Sequence, residues 1–532
     1  MSPSEIQRTI EQADAFYAAG RFDEAIIAYR KAIESQPGNP QAINNLGNAL
    51  KESGQLPDAA DCYRRAIALR PDVPELHYNL ATVLADLGLF DEALREFQVC
   101  LNARPDFAPA HRNLGSALRS VGRLDEAIDY LQRGGNVSDV LYASHFLPSD
   151  DPRALFNPHR AWGEQFRPVP SMGRAPRRAA GRVRVGYVSP DFREHPVGRF
   201  MLPILEGHDR ERFEIFCYTD VRFEDAITHR SRRSVDTWRS TCGLSDEQLA
   251  ETISADQIDI LIDLTMHMRG SRLGAFARRP ASVQATYLAY CSTTGLPQMD
   301  YRLSDPYLDP PGEDEWVYTE KTIRLPRTYW CYAEPEDATS TQRRSRSGPI
   351  TFGSLNSFAK VTEPLLRTWG KMLRQVDSSL ILHCPEGSHR DRVVELLGVS
   401  QDRVRMESFL PLDRYLALQS EVDIALDPFP YGGGTTTCDA LWSGTPVVTL
   451  RGRTAVSRGG FSILSNIGLP ELVASSVEQY IQIATDLAND RERLALLHAT
   501  TRERLSQSPI MNRKQFVPDF ESILLQMTGG KR

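Results

Sequence analysis

Four glycines, Gly20, Gly54, Gly88 and Gly122, stand 34 residues apart, and each opens a segment that runs into an acidic residue and alanine: "GRFDEA", "GQLPDAA", "GLFDEA", "GRLDEA". The register holds through the rest of the period. Tyr29, Tyr63 and Phe97 share one position, Ala32, Ala66 and Cys100 another, and Leu46, Leu80 and Leu114 a third, while Pro37, Pro71 and Pro105 close three of the units. A period of this length restricts residues 1 to 140 to a stack of like units, because one unit alone would leave its apolar face in water.

The pattern resembles the tetratricopeptide repeat, in which two amphipathic helices flank a tight glycine turn, with three clear units and a fourth that lacks its closing proline. Stacked units form a concave groove. A polypeptide is the partner such a groove suits; the plainer alternative is that the array only stabilises the chain or joins two copies into a homo-oligomer.

Beyond the repeats, "GNVSDVLYASHFLPSDDPRALFNPHRAWGEQF" predicts helices, and "RPVPSMGRAPRRAA" from Arg167 to Ala180 predicts a basic, proline-rich linker, so residues 141 to 180 read as a connector. The texture then changes. "RVRVGYVSPDF", "FEIFCYT" and "IDILIDLT" are short β-branched runs between helix-like segments, as in a parallel α/β sheet. After a polar stretch from Glu334 to Gly348, "PITFGSLN", "SLILHC", "VRMESF", "VDIALDP" and "PVVTL" repeat the alternation. The expected fold class is α plus α/β: a helical solenoid, then two Rossmann-like doubly wound domains at residues 181 to 340 and 348 to 532, facing across a cleft.

Composition removes several function classes. Over 532 residues the net charge is -7, which argues against nucleic acid as a partner. No run of 18 apolar residues occurs, and "MSPSEIQRTIEQADAF" has no signal-peptide pattern, so a soluble, cytoplasmic chain without a membrane span is expected. Eight cysteines at positions 62, 100, 217, 242, 291, 331, 384 and 438 form no Cys-x-x-Cys pair, and reduced, mostly buried thiols follow.

Chemistry concentrates in "YGGGTTTCDALWSGTPVV", Tyr431 to Val448, which follows the strand "VDIALDP" and opens a helix. Glycines allow close approach of a ligand to the helix N-terminus, and Thr435 to Thr437 add hydroxyl donors, so an anion such as phosphate is the natural guest; a structural glycine turn is the competing reading. The stretch is neither a Walker loop nor Gly-x-Gly-x-x-Gly. Asp439 sits where a carboxylate accepts from a ribose hydroxyl or serves the helix dipole. In "TFGSLNSFAK", Asn356, Ser357 and Lys360 follow a strand, and Lys360 is able to neutralise a diphosphate; a solvated loop lysine is the competing reading.

Five segments in order, "RVGYVSPDFREHPVGRF", "LIDLTMHMRGSRLGAFARRPASVQATYLAY", "TTGLPQMDYRLSD", "TFGSLNSFAK" and "PYGGGTTTCDALWSGTPVV", together with the repeats, resemble the protein O-linked N-acetylglucosamine transferases and the related Spindly fucosyltransferases. The resemblance implies a GT-B glycosyltransferase that inverts the anomeric carbon and needs no metal or cofactor, the nucleotide-sugar being a substrate. It implies that Lys360, Thr435 and Thr436 bind the diphosphate, that Asp439 holds the ribose, and that His195 is the active-site histidine. On the residues alone, His195 reads as a histidine that packs or caps a loop, and His267 in "LTMHMRG" is a second cleft candidate.

Departures from the family concern the sugar. Animal members carry a histidine where this chain has Gly434, and "LAYCST" replaces the family's Gly-Tyr-Pro, placing Ala289 and Cys291 beside the expected sugar. Leu410 and Tyr415 in "LPLDRY" are expected at the base. The reading is a protein glycosyltransferase acting on serine or threonine hydroxyls with UDP-N-acetylglucosamine. GDP-fucose transfer and an inactive repeat scaffold are the alternatives.

Overall fold

A computed structural model describes residues 1–149, 151–166, 181–335 and 348–529. The expected linker at 167–180 and most of the polar stretch, 336–347, lie outside the described residues. Two compact units are present: Met1–Ala143 with the short segments Cys384–Val393 and Met406–Phe409, and a second unit holding the rest from Ser144 onward.

In the first unit the repeats fold as helix pairs: α1 (Pro3–Ala18) with α2 (Phe22–Ser35), α3 (Pro40–Glu52) with α4 (Leu56–Leu69), α5 (Pro74–Asp86) with α6 (Phe90–Ala103), and α7 (Ala108–Ser120) with α8 (Leu124–Arg133). Each pair turns on its periodic glycine, whose φ lies between 72° and 81°, a left-handed backbone that a Cβ would strain. The aromatic position of the period is the centre of the core. Tyr29, Tyr63 and Phe97 are at most 1% exposed, and full burial of such a ring contributes roughly 1.5–3 kcal/mol. Small residues let the helices cross over those rings: a Cβ on Gly47 would fall 2.7 Å from the Tyr63 ring.

The second unit begins with the end of α9 (Val137–Ser144) and α10 (Arg153–Gly163). It then builds two parallel sheets. The first comprises β1 (Val183–Ser189), β2 (Phe213–Thr219), β3 (Thr237–Ser240), β4 (Ile260–Asp263), β5 (Val283–Thr286), β6 (Tyr301–Ser304) and β7 (Lys321–Arg324), in the order β3-β2-β1-β4-β5-β6-β7. The second comprises β8 (Ile350–Ser354), β9 (Ser378–His383), β10 (Val404–Glu407), β11 (Ile424–Leu426), β12 (Val447–Leu450) and β13 (Val473–Ala474), in the order β10-β9-β8-β11-β12-β13. Both are doubly wound, Rossmann-like sheets, and each reverses direction once, between β1 and β4 and between β8 and β11.

Those two reversals decide where a ligand can lie. Adjacent loops leave such a point toward opposite faces, so a crevice opens beyond the carboxyl ends of the strands. The loop after β1 carries His195, the loop after β8 carries Lys360, and the loop after β11 is the glycine turn. The C-terminal helix Arg513–Met527 returns to the first sheet, where Glu521 accepts from the backbone amide of Asp209 at 2.8 Å and lies 3.0 Å from Nδ1 of buried His208. Among the described residues, no helix is long and apolar enough to cross a membrane.

Candidate functional site

The glycine turn folds around a buried carboxylate. Asp427, just past β11, accepts from the amide of Gly433 at 2.7 Å and from Thr449 Oγ1 at 2.7 Å, with Thr437 Oγ1 at 3.5 Å. A Cβ on Gly433 would lie 2.6 Å from that carboxylate and 2.5 Å from Thr437 Oγ1, which gives this glycine a packing reason of its own. Burial raises the Asp427 carboxyl above its usual value, against the hydroxyl and amide donors. The sequence reading passed over Asp427; its signal was an acidic residue at the end of an apolar strand.

After the turn, the helix Thr435–Trp442 starts with no side chain capping it. Its first amides therefore remain available to an anion, with the hydroxyls of half-buried Thr435 and Thr436 beside them. Thr436 Oγ1 donates to Asn356 Oδ1 at 2.7 Å, which joins the loop after β8 to this helix. Ser357 is exposed.

Lys360 completes that side. Its Nζ donates to the carbonyl of Gly432 at 2.8 Å and stands 4.3 Å from the centre of the Tyr431 ring, which is itself stacked on Phe146 at 4.9 Å. Burial pulls the amine down to about 8, while the neighbouring Asp427 carboxylate opposes the shift. An ammonium so lightly compensated is ready to be matched by a ligand's negative charge.

The first sheet contributes His195, which is the N-cap of α11 (Pro196–Gly207). Its Nδ1 accepts from the amide of Val197 at 3.3 Å and lies 3.6 Å from Asp191 Oδ2. Burial lowers its pKa, with Asp191 opposing, so the ring is neutral; an accepting Nδ1 then leaves the proton on Nε2. The cap reading made from the residues alone describes what Nδ1 does. Gly198 permits the turn, since a Cβ there would lie 2.1 Å from the Arg193 carbonyl.

One turn further along α11, Arg199 reaches Asp439 of the second sheet domain through two hydrogen bonds of 2.7 and 3.1 Å, and Tyr332 adds a third at 2.7 Å. Burial lowers the Arg199 guanidinium, and the Asp439 carboxylate together with Tyr332 and Glu194 carries it above its usual range. Sequence reasoning missed both partners: their separation from Asp439 in the chain hides them. Leu410 and Tyr415 flank the same domain, packed with Leu355, Ile381 and Leu418, and Tyr415 Oη accepts from Gln419 at 3.1 Å.

The remaining candidates divide. Ala289 and Cys291 are half-buried in the loop after β5, where Leu288 and Ala289 have φ of 58° and 53°, strain of about 1–2 kcal/mol per residue that the surrounding bonds hold in place. Tyr329 Oη donates to the Leu288 carbonyl at 3.0 Å, and burial pushes the Cys291 thiol up to about 12. His267 is 1% exposed, with Nε2 2.8 Å from the Thr294 carbonyl and its ring 4.5 Å from Trp162 of α10, in the packed interior beneath that helix. Asp263, which ends β4 at the sheet reversal, was not singled out; burial raises its carboxyl to about 6 although two amides and Thr286 donate to it.

Known proteins match over nearly all of this architecture. A sequence profile described as Glycosyl transferase family 41 matches residues 171–339 and 334–520, and tetratricopeptide profiles match residues 13–54, 47–88 and 78–136. A tomato protein named probable UDP-N-acetylglucosamine--peptide N-acetylglucosaminyltransferase SPINDLY is 34% identical over 407 residues, covering 73% of this chain and 43% of its own. An Arabidopsis thaliana protein named probable UDP-N-acetylglucosamine--peptide N-acetylglucosaminyltransferase SEC is 28% identical over 363 residues, covering 65% of this chain and 37% of its own. This chain thus spans less than half the length of these relatives. A solved mutant of the Thermobaculum terrenum O-GlcNAc transferase is 34% identical, with a TM-score of 0.75 and coverage of 98% of this chain and 97% of that one. The tetratricopeptide array, the two Rossmann-like sheets and these matches together place the protein: it belongs to glycosyl transferase family 41.

Proposed function

We propose that the chain transfers a sugar from a nucleotide donor to serine or threonine hydroxyls of polypeptides, with UDP-N-acetylglucosamine as the donor and inversion at the anomeric carbon. The observation that carries this reading is the convergence of Lys360, 2.8 Å from the Gly432 carbonyl, with the uncapped N-terminus at Thr435, which makes one positive locus at a sheet reversal.

Each residue then has a task. The amides at Gly434 to Thr436, the hydroxyls of Thr435 and Thr436, and the Lys360 ammonium receive the charge that grows on the departing diphosphate. Asp439, enclosed by Arg199 and Tyr332, holds this helix in place beside the ribose, and the apolar faces of Leu410 and Tyr415 stack on the base. His195, neutral with its proton on Nε2, orients the acceptor hydroxyl toward the anomeric carbon; as that oxygen bonds to the carbon and the bond to the diphosphate breaks, the hydroxyl proton passes to a departing diphosphate oxygen. The repeat groove binds the polypeptide acceptor. The names of the tomato and Arabidopsis relatives favour the UDP sugar.

GDP-fucose is the second reading, favoured by Gly434 standing where animal members of the family carry histidine. Calorimetric titration with UDP, GDP and their N-acetylglucosamine and fucose conjugates tests both. UDP binding that Lys360→Ala weakens supports the first reading, GDP preference supports the second, and binding of neither leaves an inactive repeat scaffold.

A further inference from the structure

Gly434, the N-cap of the helix Thr435–Trp442, is touched from the other sheet domain. Trp330, in the segment after β7, lays the six-membered ring of its indole against it. A Cβ on Gly434 would fall 2.9 Å from Cζ3 and 3.0 Å from Cη2, and one on Gly459 would fall 3.6 Å from Cζ2. The indole thus occupies the space that a side chain at 434 would need.

Its neighbours hold the ring there. Its Nε1 donates to Ser462 Oγ at 3.2 Å, and that hydroxyl donates in turn to Asp305 Oδ2 at 2.5 Å. Asp305 is fixed by the amides of Tyr307, Leu308 and Tyr329 at 2.7–2.9 Å. Phe200 lies 5.4 Å away and Tyr329 meets the ring edge-on at 5.0 Å, leaving Trp330 only 7% exposed. Phe200 belongs to α11, whose N-cap is His195. Trp330 therefore stands between the helix that opens at Thr435 and the helix that His195 caps, the interval in which the sugar must lie if the donor binds as proposed above.

Resting on that reading of the site, we propose that Trp330 is a specificity-determining residue: its indole is the fixed wall of the sugar subsite and limits the substituent a nucleotide-activated hexose can carry beside its diphosphate. The wall and a side chain at 434 are mutually exclusive. A chain with a bulky residue at 434 needs a smaller one at 330, and the sugar meets whichever of the two is large.

The test compares kcat/KM for UDP-N-acetylglucosamine and its N-butanoyl analogue in wild type and Trp330→Leu, alongside titration with UDP alone. The expected result is a rise of about tenfold or more in the butanoyl-to-acetyl ratio, the discrimination that a pair of methylenes carries in a closed pocket. An unchanged ratio in a variant that still binds UDP overturns the assignment of Trp330 and leaves the diphosphate site standing. Should wild type bind GDP instead, the same ratio is read between GDP-fucose and its 6-alkynyl analogue. Binding of neither nucleotide overturns both the site and the wall. Trp330→Phe keeps a ring between Phe200 and Tyr329 and replaces the leucine variant if that one does not fold. The steric contact has its own readout: Gly434→Ala should lower the melting temperature by about 3 °C or more in wild type and by less in Trp330→Phe. Equal losses in the two backgrounds would overturn it.

Discussion

Arg199 and Asp439, 240 residues apart in the chain, form a two-pronged ion pair between the two sheet domains, with Nη2 2.7 Å from Oδ1 and Nη1 3.1 Å from Oδ2. The pair joins α11, which begins at His195, to the helix that begins at Thr435, so the N-termini of two helices are held in one spatial relation. Tyr332 adds a hydroxyl to Oδ1 at 2.7 Å, and the Asp439 side chain is 2% exposed. A carboxylate so enclosed is costly to leave unpaired, and the fork geometry of arginine is what fills both oxygens.

Arg199→Ala should therefore lower stability by about 3 kcal/mol, because it leaves the buried carboxylate with no cationic partner and only uncharged hydroxyl donors. Arg199→Lys should recover only part of the loss, since an ammonium cannot reproduce the fork. Urea midpoints of the three proteins check this; a midpoint for Arg199→Ala equal to wild type would dismiss the clamp.

Lys360→Ala should remove nearly all transfer and weaken nucleoside diphosphate binding while the thermal melt stays close to wild type. The amine contacts a carbonyl and a ring face, both of which survive its loss. Normal turnover by the purified variant would be incompatible with the site as described.

Binding should also depend on pH through the same amine. Burial sets its pKa near 8 in the free protein, and a bound diphosphate must raise it, so above pH 8 binding takes up a proton. Affinity for UDP should then fall about tenfold per pH unit from there toward the pKa of the bound form. The unbound protein should become more stable between about pH 8 and 10.5, where the unfolded lysine still holds a proton that the folded one has released. Titrations at pH 7, 8 and 9 read the first effect, and Lys360→Ala should flatten the profile.

Gly163→Ala probes how α10 is seated. A Cβ at this position would lie 1.8 Å from the carbonyl of Gly295, whose own Cβ would meet the His159 carbonyl at 2.1 Å, so two glycines let backbone lie on backbone. Separation of the segments should cost about 1–3 kcal/mol or more, read as a lower urea midpoint. A stability equal to wild type would mean that α10 is free to move away.

Much of the architecture was legible along the chain. The 34-residue period specified the helix pairs and their left-handed glycines, and "RVRVGYVS", "FEIFCYT", "ITFGS" and "VVTL" lie where strands β1, β2, β8 and β12 are found. Strands β3, β5, β6 and β7, "TWRS", "VQAT", "YRLS" and "KTIR", were not read, because four residues with polar members carry no apolar run to distinguish them from loop. Only the central strands of a doubly wound sheet, covered on both faces, announce themselves by composition.

Local sequence determined everything that depends on near neighbours: the repeat register, the glycine turn opening a helix, and the short loop that carries Lys360 past β8. It could not determine what the glycines were for. Gly433 accommodates Asp427, six residues upstream, whereas Gly434 accommodates Trp330 from the other sheet domain, and nothing in a linear reading connects that tryptophan to that glycine. The same holds for Arg199 and Tyr332 on Asp439. Contacts between distant segments arise only when two sheets fold and close against each other, and the energies that select them depend on burial, a property no single stretch of sequence possesses.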